Sequence, residues 1–423
     1  MKEDFLHHIW KFGLFEKRNL NTDTGEKVRI MDPGEHNTDA GPDFFNARIM
    51  VGETLWVGNV EVHINSSDWL RHGHNSDKAY DNVILQVVFN HDMEIFRTSG
   101  QTIPTIQIEF KEEIYRNYLH LTGNKEWIPC ESLLFKVDPF YIKHWLYKVM
   151  VDRLELKSKG IISKLEKNKN DWDETFYQHL ARNFGFKKNA EPFELLAKCL
   201  PYKYLARHKN QLSQLEAMLF GQAGLLEDLI STDEYYLSLQ KEYGFFREKF
   251  SLKPLGSHLW KFLRLRPSNF PTVRIAQFSM LIHKSGRLFS AIIHSRDIGS
   301  MRKLFSVSAS PYWNDHYVFH RHSPYRRKVI GKDAIDNLII NSVVPFFFAY
   351  GIVKNLPEFK ERALDLLEKL PPEKNTIIFK WGKLGIKADN AFSSQALIQL
   401  KNSYCKPKKC LHCRIGSKIL TIN

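Results

Sequence analysis

The chain has no uninterrupted run of about 18 apolar residues, the length a membrane-spanning helix needs, so no membrane span is expected. Its most apolar stretch, Leu338 to Val353, is broken by Asn341, Pro345 and Gly351 and reads as a buried helix. The N-terminus, Met1-Lys2-Glu3-Asp4, has no secretory apolar segment, which makes a cytoplasmic location the expectation. Cysteine is scarce, with 5 in 423 residues, and a chain of this length can bury a core without disulfides. Internal repeats, low-complexity tracts and clear linkers are also missing, so the parts of the chain are expected to pack closely.

What is present is ordinary for a soluble globular chain of two or three domains: 43% hydrophobic and 26% charged residues. The charge is not balanced. A net charge of +14 and a pI near 9.3 favour an anionic partner, and nucleic acid is the first candidate. Basic and aromatic residues interleave at His320 to Lys328 and at Lys380-Trp381-Gly382-Lys383. Such mixtures suit phosphate contact and base stacking, and equally an ordinary surface where long side chains cover apolar area.

Periodicity divides the chain. To about residue 120 it is β-rich, with strands expected at Val28 to Met31, Phe45 to Val51, Leu55 to Ile64, Val83 to Phe89, Glu94 to Thr98 and Thr105 to Phe110. Helices are expected at Asp4 to Phe12 and between Ser67 and Tyr80. Val83 to Phe89 is almost continuously apolar, the pattern of a central strand covered on both faces. After Glu112 the period becomes helical. Helices are read at Phe140 to Leu165, Trp172 to Phe184, Pro192 to Leu200, Gln211 to Ile230, Thr232 to Phe250, Val273 to Ile282, Ala334 to Val353, Pro357 to Leu370 and Ser393 to Tyr404. The expected class is α+β: a sheet domain over 1–120, a mostly α-helical domain over 121–400, and a Cys-rich tail over 401–423 packed on the body.

Pro42-Asp43 ends the loop that begins at Gly34, and the later strand carries Glu61-Val62-His63. Residues i and i+2 share a strand face, so Glu61 and His63 point the same way, and the hairpin can bring Asp43 to them. Carboxylates so placed suit a hard divalent cation. The arrangement resembles the PD-(D/E)xK nuclease superfamily, with Asp43 at the Asp, Glu61 at the acidic position and His63 where that family has Lys. The resemblance implies a restriction-endonuclease-like sheet domain, Mg²⁺ or Mn²⁺ at Asp43 and Glu61, and hydrolysis of phosphodiester bonds in DNA or RNA. His63 would orient or deprotonate water, or ligate a softer metal. In that family an acidic residue before the Asp often assists the metal, and Glu35 is the candidate. Asp39 and Asn37 are candidates of the same loop, and both are good turn formers in their own right. Gln86 is a polar side chain in an apolar strand and needs a partner if buried.

His72, His74 and Asp77 follow closely, with Gly73 letting the backbone bend between the histidines. They are candidates for substrate or indirect support of the same cleft. With His63 they could also form a metallohydrolase site of another class. Exposed histidines behind a helix capped by Ser67 or Asp68 are the plain alternative.

Cys405, Cys410 and Cys413 cluster at the C-terminus, a spacing that in a cytosolic chain points to metal rather than disulfide. Cys130 is the first choice for a fourth ligand, ahead of His412 and Cys199. Structural Zn²⁺ is preferred, with a 4Fe-4S cluster as the alternative. Some DNA-repair and CRISPR-adaptation nucleases of the same superfamily are similar, carrying one remote and three C-terminal cysteines. The whole chain also resembles an uncharacterised bacterial family of unknown function, through the Gly34 to Phe44, Gln214 to Gly224 and Arg266 to Pro271 segments and the Cys cluster. A metal-dependent nuclease is the leading expectation. The alternatives are a non-catalytic nucleic-acid binder with a degenerate site and the histidine-based metallohydrolase.

Overall fold

The computed structural model describes residues 1–227, 231–285, 287–295 and 297–422, so the end of the helix expected over Gln211 to Ile230 lies outside the described residues. The chain forms two compact units, 1–145 with 400–423, and 146–399. The class is α+β, a mixed sheet in the first unit and a mostly helical remainder.

The first unit opens with helix α1, Glu3–Phe12, which has Glu3 and Asp4 in its first turn and Lys11 in its last, matching the helix dipole. Gly13 ends it at φ 59°, a left-handed conformation that glycine adopts without strain. Strands β1 (Val28–Asp32), β2 (Glu35–His36), β3 (Phe44–Val51), β4 (Thr54–Asn65), β5 (Val83–Asn90) and β6 (Thr105–Gln107) form one sheet. The order is β1-β3-β4-β5-β6, with β2 also paired to β3. β3 and β4 are an antiparallel hairpin in the register Phe44↔Val60, while β4–β5 and β5–β6 run parallel. β5 buries six consecutive residues, as its apolar run demands of a central parallel strand. In β4 the first four residues are exposed, but Val60, Glu61, Val62 and His63 are all buried.

Two expected elements differ. The helix expected between Ser67 and Tyr80 is cut to α2, Asp68–Arg71, followed by two single 3₁₀ turns, because Gly73 sits at φ 78° and breaks the helix. Glu94 to Thr98 forms no strand, only an isolated bridge between Phe96 and Thr102. The Arg97 guanidinium there donates to the carbonyls of Asp81 (3.0 Å) and Val83 (2.8 Å), which ties the segment to a turn.

Helix α3, Glu112–Gly123, receives the returning C-terminal segment. Asn117 Nδ2 donates to the carbonyls of Ile419, Leu420 and Ile422 at 3.2, 3.3 and 3.0 Å, satisfying acceptors left over at the end of the last helix. Helix α4, Pro139–Lys167, carries the chain into the second unit.

The second unit is built on helices, with a small hairpin of His316–Val318 and Arg321–His322. Its most apolar helix, Lys332–Val353, is long and apolar enough to cross a membrane by composition, yet 78% of that window is buried in the protein. A π turn interrupts it at Ile339–Val343. Pro345 has no N–H to give the Asn341 carbonyl, and His179 Nε2 approaches that carbonyl at 3.2 Å instead.

Candidate metal centre

Asp43 stands just before β3, where its side chain takes over from the ladder: Oδ2 accepts the Val62 N–H at 3.0 Å. The Asp43 N–H donates to Glu61 Oε2 at 3.1 Å. The two residues therefore lock the open end of the hairpin, and both carboxyls are turned to the face that also carries His63. The loop ahead of Asp43 is shaped by Asn37, whose Nδ2 donates to the carbonyls of Asp39, Ala40 and Pro42.

Two imidazoles meet at Glu61, and a third joins them through His63. Glu61 Oε1 lies 3.3 Å from His74 Nε2 and 3.6 Å from His63 Nε2. His63 Nε2 lies 3.2 Å from His72 Nδ1, and the ligand atoms of His63, His72 and His74 all fall within 4.8 Å of one another. Donors about 2.0–2.1 Å from a tetrahedral ion stand about 3.3–3.4 Å apart, so this spacing suits one transition-metal ion. The connection from β4 to β5 makes the convergence possible. Asp92 accepts from Ser66 Oγ (2.8 Å), Ser67 N (2.8 Å) and Ser67 Oγ (2.7 Å), fixing where α2 starts. The left-handed turn at Gly73 then presents His72 and His74 on the same side. Tyr80 stacks on His74 with ring centroids 3.7 Å apart.

Gln86 lies beside Glu61 in the β4–β5 register and orients His63. Thr105 Oγ1 donates to Gln86 Oε1 (3.3 Å), and Gln86 Nε2 donates to the Ser66 carbonyl (3.3 Å). The same nitrogen is 3.0 Å from His63 Nδ1, which must then accept, leaving the proton on Nε2. Turning the Gln86 amide over would let Oε1 accept from Nδ1–H and free Nε2 for a cation, at the cost of the bond to the Ser66 carbonyl.

Burial and the neighbouring Asp43 hold the Glu61 carboxyl above its ordinary value, against the pull of His74. Burial acts the same way on Asp43, but the His7 imidazole, the Val62 N–H and His63 together hold it below the carboxylate range. Burial pushes His63 down to about 3, against the attraction of Asp43. For His7 burial opposes protonation, yet the Asp43 carboxylate 3.2 Å from Nε2 raises it above the usual imidazole value.

Of the residues singled out in the sequence, Asp43, Glu61, His63, His72, His74 and Gln86 are brought together. Asp77 is exposed and caps the following turn by accepting from Ala79 N at 2.9 Å. Glu35 and Asp39 are exposed, Glu35 on the short β2 and Asp39 in the loop that Asn37 shapes. Two members were not foreseen. Glu3 and His7, one turn apart on α1, face the same cluster: Glu3 interacts electrostatically with His72, His7 and Asp43. The legible signal was an acid and a histidine at i and i+4 on an amphipathic helix, a pattern too common to single out.

Cys130, Cys405, Cys410 and Cys413 are buried in the first unit, and Cys199 is exposed in the second. Cys130 and Cys405 each interact electrostatically with Cys410 and Cys413, which places the four thiols in one neighbourhood. Among the described residues, however, no three thiols have their sulfurs all within 4.8 Å.

No curated protein and no solved structure matches the chain. The family described as a protein of unknown function, DUF2851, matches residues 3–376, and the chain belongs to that family.

Proposed function

We propose that the first unit is a metal-dependent nuclease whose ion is held by His63, His72 and His74, with the Glu61 carboxyl beside two of them. The observation that carries this reading is the convergence of the three imidazoles, whose ligand atoms all lie within 4.8 Å of one another. A set of imidazoles favours zinc, manganese or a similar ion over magnesium. Such an ion would polarise a phosphate and lower the pKa of water at neutral pH. Gln86 sets the His63 tautomer, and the Asp43–His7 pair holds a proton at His7 Nε2 beside the centre, where it can be given to a leaving oxygen. Kinship with the restriction-endonuclease-like fold is supported by Asp43 opening one strand of a hairpin and Glu61 and His63 lying on the next, followed by a helical connection to a parallel strand.

Purified protein is expected to bind one ion per chain at this site and to cleave DNA or RNA in its presence. Glu61→Gln and His74→Ala should each lower cleavage at least a hundredfold. Intact single- and double-stranded DNA and RNA after incubation with manganese or zinc would refute the nuclease reading.

We also propose that the four buried thiols hold a structural metal. Cys413 accepts from the Ile415 and Gly416 N–H groups, an arrangement that stabilises a thiolate ligand. Gly416 packs so closely that a Cβ would stand 2.3 Å from the Cys410 carbonyl. Thiolates on one zinc stand about 3.8 Å apart, so the wider spread of these sulfurs favours an iron–sulfur cluster. Elemental analysis and the visible spectrum of protein purified without oxygen decide between iron–sulfur, zinc and neither.

A further inference from the structure

The first unit contains a second feature that the metal centre does not use. A cavity of about 620 Å³ opens between α1 and the C-terminal segment. His7 lines it and at the same time lies 3.2 Å from Asp43 Oδ2, so the cavity adjoins the metal centre. Its walls carry Lys11, Arg414, Lys418, His36 and His412, with Asp4 the only carboxylate among them. Among the described residues none of the three long cations has an ion-pair partner, and all three are exposed. A cleft lined by one sign of charge concentrates its field on an incoming anion. The crowding of cations is visible in its histidines. Burial, His412 and Lys11 bring His8 down to about 4, and burial, His7 and Lys11 lower His36. Aromatic rings stand at the same opening, Phe12 at 53% and Tyr141 at 44% exposure.

Lys418 lies 5.3 Å over the Tyr141 ring and Lys11 5.9 Å over Phe12, and cations free of carboxylates beside exposed rings are the two components that hold single-stranded nucleic acid: the charges take phosphates and the rings stack bases. We propose that this cleft is the strand-binding site of the first unit, leading a single strand of nucleic acid past His7 to the metal centre. The directional part of the proposal rests on the nuclease reading; binding itself does not.

The test is fluorescence anisotropy with a labelled oligothymidylate on the full chain, in EDTA so that no cleavage occurs. Lys11→Ala/Arg414→Ala/Lys418→Ala is expected to weaken binding at least tenfold. It should also flatten the slope of log affinity against log salt by about 2, the effect of losing three phosphate contacts to a single strand. Lys11→Glu alone, on α1 and not on the segment that carries the cysteines, should weaken binding in the same direction, and Phe12→Ala by about tenfold through lost stacking. The cleft proposal is overturned if the triple variant and Lys11→Glu bind with unchanged affinity and slope, whether or not Arg326→Ala/Arg327→Ala weakens binding. Weakened binding by the cleft variants, with wild-type protein that cleaves nothing in any metal, would keep the cleft and remove the nuclease.

Discussion

Gln86 is the residue on which the candidate centre turns. It is fully buried, and its amide satisfies Thr105 and Ser66 while presenting a donor to His63; presenting an acceptor instead would give up the Ser66 bond. Partners of this kind orient a ligating imidazole, and losing one weakens metal binding by about 10- to 100-fold. Gln86→Leu should therefore bind zinc about that much more weakly, read by competition with a chromophoric chelator. Unchanged affinity would remove its orienting role. Buried neutral histidines also set a pH dependence. Burial lowers His8 to about 4 and His179 to about 3, both below the ordinary value of 6.5. Above pH 6.5 neither the folded nor the unfolded form of these groups carries a proton. As pH falls below 6.5 the unfolded chain takes up protons that the folded chain refuses, so stability falls until the folded pKa is reached. Unfolding free energies from urea titrations at pH 7.5 and 5 should differ by on the order of 1 to 2 kcal/mol per such histidine. A midpoint in His179→Gln that is as acid-sensitive as wild type would exclude that residue as a cause.

At the level of elements, the connection between β4 and β5 is the part most open to change. Its start is held by the Asp92 carboxylate through three donors of Ser66 and Ser67, and hydrogen bonding by Ser67 pulls that carboxyl down to about 2. Asp92→Ala should cost about 1 kcal/mol, because solvent replaces part of what is lost. Its larger effect should be on metal affinity, since His72 and His74 lie beyond the turn that Asp92 fixes. A variant with a normal urea midpoint and normal metal affinity would show the anchor to be dispensable. The sequence already marked this segment through its histidines and Gly73. It did not show that a helix over Ser67 to Tyr80 would stop at Arg71, because helical propensity there competes with a glycine whose positive φ is chosen by the contacts of His74 and Tyr80. The strand expected at Glu94 to Thr98 failed for a similar reason. Its residues have strand propensity, but Arg97 ties the segment to the 81–83 turn.

Across the whole molecule, charge is divided unevenly. Counted over the two units, the first is close to neutral and the second carries essentially all of the net charge of +14. Nonspecific attraction to polyanions is thus expected to reside in 146–399, and selective strand contact in the cleft of the first unit. Binding of duplex DNA should be lost steeply between about 50 and 200 mM salt. Equal affinity at both ends of that range would argue against an electrostatic role for the second unit. Alternation along β4 was enough to put Glu61 and His63 on one face, and the hairpin was enough to set Asp43 beside them, because both follow from contacts near in sequence. The tertiary structure decided everything that closes over long loops. It laid Glu3 and His7 against the sheet, carried His72 and His74 back to the Glu61/His63 strand, and returned Cys405, Cys410 and Cys413 to Cys130. Such closures depend on which elements pack together across the fold, and packing of that range leaves no periodic trace in the sequence.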